Sequence, residues 1–193
     1  TPYITIYKRS GDTFTKLSDP STLPAGTAYG CDFSPNDDYL AIGHLGSPYI
    51  TIYSVGVDTF TKISGPASLP TAYGKSCSYS LCGNYLAIIP GDSSPYIEIY
   101  KISGTTYTKL SNPSTLPTGI GRHCAFSPDA AYLAVAHKSS PYITIYKTSF
   151  KAWNTNNEVR NLHTSSVLAA GYTKESGTVG QTKQVVRIWR VGG

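Results

Sequence analysis

Charge is scarce in this sequence. Charged side chains make up 14% of its 193 residues, and 16 Lys and Arg against 11 Asp and Glu leave a formal charge of only +5. The basic residues are scattered, with no run that reads as a nucleic-acid patch. No stretch approaches the roughly 18 uninterrupted apolar residues of a membrane helix, so a helical span is excluded. The four Cys (Cys31, Cys77, Cys82 and Cys124) include no CxxC pair, so neither a zinc site nor a disulfide framework is expected. No GxSxG elbow, HExxH helix or phosphate-cradling Gly loop is present. The opening TPYITIYK does not read as a secretory leader, and none is expected. The chain starts without Met and halfway through a repeat, and is therefore expected to be a piece of a longer one.

What the sequence does have is periodicity. PYITIY begins at Pro2, Pro48 and Pro141, and its variant PYIEIY at Pro95, at intervals of 46, 47 and 46 residues. A repeat of this length decides the fold before any other feature does. With 12% aromatics, 16 Tyr, and 18 Gly and 13 Pro spread along the chain, the composition is that of an all-β protein. Cys31, Cys77 and Cys124 keep the same period, each two residues before an aromatic (Phe33, Tyr79, Phe126). On a strand that spacing puts thiol and ring on one face, which predicts a small apolar side chain in a repeated core position. Cys82 replaces a turn residue and is expected to be an exposed free thiol.

The clearest repeat predicts strands over 122–127, 132–137 and 142–147, with Pro128-Asp129 supplying turn chemistry between the first two. A fourth strand is expected at 58–64 and 105–111 in the preceding repeats. One repeat is thus four short antiparallel strands, and such a sheet cannot bury both of its apolar faces alone. Radial stacking solves this, and a β-sandwich does not explain a strict period. PYITIY is read as the third strand of each blade. The expected fold is an all-β propeller of four-stranded antiparallel blades, spanning 1–193 as a single domain or part of a larger ring. The blade units fall at about 1–18, 28–64, 75–111, 122–153 and 158–191. The fourth strand of the 122–153 unit is degenerate around FKAWN, and the last unit supplies EVRNLH, SVLAAGYT and QVVRIWRV. Three ring arrangements are compatible with this: the C-terminal part of a six- to eight-bladed ring, which is favoured, a small closed ring, or partial rings that assemble.

The string CAFSPDAAYLAVAH…SPYITIYK resembles the WD-repeat pattern, and VVRIWRV at 185–191 is close to that family's signature strand. The resemblance covers nearly the whole chain. Departures are Tyr7-Lys8, Tyr53-Ser54, Tyr100-Lys101, Tyr146-Lys147 and Trp189-Arg190 in place of Trp-Asp, and Gly121-Arg122-His123 in place of Gly-His. The family's His–Asp network is therefore not expected, and apolar and Tyr packing should hold the blades together. The wording of the repeats is also similar to tandem repeats of bacteriophage and prophage virion proteins and of some bacterial surface proteins. That resemblance implies a non-enzymatic structural or interaction module of a phage particle (tail, fibre or capsid decoration) or related extracellular assembly. It would dock to protein subunits and contact host-surface glycans. The alternatives are a cytoplasmic WD-repeat scaffold and, less favoured, a lactonase-like propeller hydrolase.

No catalytic, cofactor-binding or metal residues are assigned. His44 and His137 occupy equivalent positions and belong to the repeat, and the middle repeat carries Pro90-Gly91 there, which argues against a unique site. The acidic residues, including Asp32, Asp37, Asp38, Asp92 and Asp129, are read as turn residues. Loops entering each first strand vary most between repeats, and loops carry recognition. Tyr29, Tyr73, Lys75, Arg122 and His123 are the candidate partner-binding residues, because aromatic and Arg side chains are common interface anchors.

Overall fold

A computed structural model describes residues 2–148 and the backbone of Leu168–Thr173 and Val185–Arg190. The chain divides into two units, Thr1–Asn156 and Asn157–Gly193. In the first, β1 (Tyr7–Ser10) and β2 (Thr13–Lys16) form a hairpin. A four-stranded blade follows, made of β3 (Ala28–Phe33), β4 (Tyr39–His44), β5 (Ile50–Val55) and β6 (Phe60–Lys62). The next blade comprises β7 (Gly74–Tyr79), β8 (Tyr85–Pro90), β9 (Glu98–Ser103) and β10 (Thr106–Lys109), paired in chain order. A three-stranded sheet of β11 (Gly121–Phe126), β12 (Tyr132–His137) and β13 (Ile143–Lys147) completes this unit's described strands. The second unit contains the antiparallel pair β14 (Leu168–Thr173) and β15 (Val185–Arg190). The FKAWN and EVRNLH segments lie outside the described residues. The architecture is a β-propeller built from antiparallel blades, and among the described residues it has no helix.

Two turns set the strand limits. After each first strand a Ser closes the loop: Ser34 Oγ accepts the Tyr39 N–H at 2.8 Å, and Ser80 and Ser127 do the same for Tyr85 and Tyr132. The third strand starts one or two residues later than the sequence pattern suggests, at Ile50, Glu98 and Ile143. Tyr49, Tyr96 and Tyr142 have φ of 71°, 63° and 68°, a left-handed geometry that no extended strand holds, so pairing begins beyond the Tyr.

Period-2 alternation then sends successive side chains to opposite blade faces. Ala41, Ile50 and Ile52 meet Cys77, Tyr79, Leu86, Ile88 and Tyr100 of the next blade. The other face of that blade gives Ala87, Ile89 and Ile97 to Cys124, Leu133 and Val135. The repeated Cys is a seam residue: Cys77 Sγ lies 3.6 Å from the Ala41 carbonyl and Cys124 Sγ 3.9 Å from that of Ala87.

Cys31 departs from the expected core role. It is exposed, whereas Cys77 and Cys124 are buried. No described second strand lies over it as β4 lies over Cys77; instead Ile4 and Ile6 cover only part of the β3–β4 face. A cavity of about 320 Å³ remains beside Cys31, Phe33 and Leu40. Cys82 is half-buried rather than exposed, with its Sγ 3.2 Å from Ser80 Oγ. Burial holds the Cys77 thiol well above its usual range and raises Cys124 to about 12. A thiol reagent at neutral pH should therefore label Cys31 first and leave Cys77 and Cys124 unmodified until unfolding, as read by peptide mass spectrometry. Equal labelling of the three would contradict the seam.

Buried polar pairs join the second and third strands. His44 Nε2 meets Thr51 Oγ1 at 2.9 Å, and His137 Nε2 meets Thr144 Oγ1 at 3.0 Å. In the middle repeat Pro90 replaces the His and Glu98 replaces the Thr. Burial lowers the His44 pKa, outweighing the backbone of Gly46 and Ile50, while Lys62 acts in the same direction as burial. A His whose folded pKa is depressed binds its proton more readily in the unfolded chain. Its contribution is thus complete above about pH 6.5 and falls as pH drops below that, by at most about 1.4 kcal/mol per pH unit. His44→Gln should flatten this part of the pH profile in denaturant titrations from pH 7.5 to 5; an unchanged slope would assign it to other groups.

Candidate interaction rim

The first strands β3, β7 and β11 lie side by side through the unit and share one irregularity. Ala28 pairs with His44 and Gly30 with Gly43, leaving Tyr29 as an extra residue. Lys75 is the extra residue between Gly74 and Ser76, and Arg122 between Gly121 and His123. Each blade thus carries a β-bulge at the same place, a device that re-aims one side chain and interrupts pairing. Close packing fixes the position. A Cβ on Gly74 would come within 2.7 Å of the Tyr49 carbonyl and 2.8 Å of the Gly43 Cα, so only glycine lets the two blades approach this closely.

The three bulge residues sit among polar and aromatic neighbours. Tyr29 and Tyr73 rings are 5.6 Å apart at 47°. Lys75 Nζ lies 5.5 Å from the Tyr73 centroid and donates to Asp92 Oδ1 at 2.5 Å. Tyr73 OH donates to Asp92 Oδ2 at 2.8 Å. The hydrogen bond from Lys75, then that from Tyr73, holds the Asp92 carboxyl below its usual range, and Arg122 adds a smaller pull. The reciprocal bond to Asp92 raises the Tyr73 hydroxyl. His123 Nδ1 shares a hydrogen bond with Ser76 Oγ at 2.9 Å across the seam. Among the described residues, the Arg122 side chain takes part in no hydrogen bond or ion pair.

The five candidate residues therefore divide. Tyr29, Tyr73 and Lys75 are linked through the ring contacts and Asp92, Arg122 acts on Asp92 only through its charge, and His123 joins the rim only through Ser76. Sequence reasoning did not single out Asp92 or Ser76 as rim residues, and it did not give Gly91 a role there. A Cβ on Gly91 would fall 2.3 Å from the Tyr73 ring, so the glycine makes room for that ring, and Asp92 beside it anchors the hydroxyl. The break in the repeat was itself the signal. Asp32 is a second correction: it lies within β3 rather than in a turn, half-buried, and its carboxylate accepts the Tyr79 N–H of the next blade at 2.7 Å. Burial raises its pKa against the pull of the Tyr79 and Phe33 N–H groups. No group of three or more His, Cys, Asp or Glu among the described residues could hold a metal ion.

No protein-family pattern and no curated protein matches the chain. Solved structures do. A gluconolactonase from Xanthomonas campestris matches with a TM-score of 0.53 at 14% identity, over 73% of this chain and 43% of its own. The hydrazine synthase of Kuenenia stuttgartiensis matches with a TM-score of 0.57 at 10% identity, over 74% and 40%. A protein of unknown function from Desulfotomaculum acetoxidans matches with a TM-score of 0.55 at 14% identity, over 75% and 47%. The chain spans less than half the length of each. At such identities the likeness extends to the fold alone.

Proposed function

We propose that this chain is a non-enzymatic interaction module that docks through the bulged rim, as a component of a phage particle or a related extracellular assembly. One observation carries the docking reading: three successive blades break their ladders at the same register, at Tyr29, Lys75 and Arg122. The particle assignment rests on the wording of the repeats, and protein subunits of the assembly are the proposed partners. Peptide mass fingerprinting of particles sedimented from the source culture tests it. The polypeptide should be present in stoichiometric amount; recovery in the soluble lysate alone would remove the particle assignment.

A cytoplasmic scaffold is the second reading, favoured by the absence of disulfides among the four free cysteines. A virion assembled in the cytoplasm accounts for them equally. The gluconolactonase likeness lends the hydrolase alternative no more than a fold.

A further inference from the structure

The rim combines three chemical features that are seldom found together on a merely solvated surface. Tyr29 is 51% exposed and offers a ring face at the edge of the cluster, whereas the neighbouring Tyr73 ring already meets Lys75 and Gly91. Asp92 is 59% exposed at its side chain and spends one oxygen on Lys75 and the other on Tyr73, which leaves each oxygen further acceptor capacity. Arg122 is exposed and holds its guanidinium donors free of any described partner.

We infer that this cluster is a binding site for a saccharide bearing a carboxylate. The inference rests on the docking reading of the rim and names its ligand. The apolar face of a pyranose ring covers Tyr29, the exposed ring of the pair. Vicinal hydroxyls are donors, and the ionised Asp92, an acceptor only, takes them. The sugar carboxylate meets Arg122, whose planar fork matches it in two parallel hydrogen bonds. An acidic peptide fits less well. It has no row of hydroxyls to give to Asp92. Strand addition is also disfavoured, because the bulges interrupt the ladder an added strand would follow.

Calorimetric titration of the intact protein with a uronic-acid trisaccharide, its methyl ester and a glutamate tripeptide tests the inference. The trisaccharide should bind. Its ester should bind about tenfold more weakly, as should the acid to Arg122→Gln, since each change removes the charge-assisted pair. Tyr29→Ala, a change at an exposed position, should weaken acid and ester alike. Comparable binding of trisaccharide and tripeptide, unaffected by Tyr29→Ala, would reduce the rim to a basic surface and overturn the saccharide assignment. Failure of the trisaccharide to bind overturns it as well. In that case, particle association that is lost on changing Arg122 would leave the docking reading standing, and association that is unaffected would remove both.

Discussion

Leu86→Ala should lower the unfolding free energy by about 3–4 kcal/mol in denaturant titration, whereas Leu40→Ala at the equivalent position should cost only about 2 kcal/mol. Both leucines are buried, at 0% and 2% exposure, and both sit on second strands facing the preceding sheet. Their surroundings differ. Leu86 is enclosed in the seam of Ala41, Ile50, Ile52, Ile88 and Tyr100, so truncation leaves a closed void. Leu40 borders the 320 Å³ cavity, and its truncation enlarges a space that already exists. The cost of a large-to-small change follows the void it creates, which is why the two should separate. Equal losses would mean that the blades are not held by face-to-face packing.

The second large effect is expected at Glu98. Its carboxylate is fully buried, accepts Lys109 Nζ at 2.8 Å and the Thr71 N–H at 3.2 Å, and receives Tyr100 OH at 3.3 Å. In the flanking repeats the equivalent tyrosines donate elsewhere: Tyr53 to the Thr22 carbonyl at 2.8 Å and Tyr146 to that of Thr115 at 2.9 Å. The middle blade has exchanged a neutral His–Thr pair for an ionic one. Glu98→Ala strands a largely buried ammonium and a backbone donor, at a cost of about 3 kcal/mol. Glu98→Thr alone should cost nearly as much. Adding Pro90→His to it rebuilds the pair seen at His44–Thr51 and His137–Thr144, and should recover about 1 kcal/mol beyond additivity. Strict additivity in the double-mutant cycle would show that the substitutions at 90 and 98 are independent.

Much of the fold was legible because the repeat states it several times. The 46-residue period, the Ser-Pro turn chemistry and the alternating third strand identify four-stranded blades without reference to any coordinates. Three features escaped for physical reasons. Periodicity predicts the same environment for Cys31, Cys77 and Cys124, yet exposure depends on what lies against the preceding face, which local sequence does not encode. The left-handed φ of Tyr49, Tyr96 and Tyr142 is unusual for a bulky residue, so alternation alone placed the strand start too early. At the rim, Tyr29, Tyr73 and Lys75 are connected, but their organising group, Asp92, was read only as a turn residue. Its role depends on Gly91 admitting the Tyr73 ring, a steric fact visible only once the strands are paired.

The docking role of the rim is tested most directly by particle retention of a rim variant. Wild-type protein and the triple variant Tyr29→Ala, Lys75→Gln, Arg122→Gln would be expressed as the full chain, checked for equal unfolding free energy, and quantified by mass spectrometry in sedimented particles. We expect stoichiometric wild-type protein and at least tenfold depletion of the variant, since anchors at an interface centre carry most of its binding energy. Equal retention of the two proteins would contradict the account, because the particle would then hold the propeller by some other surface.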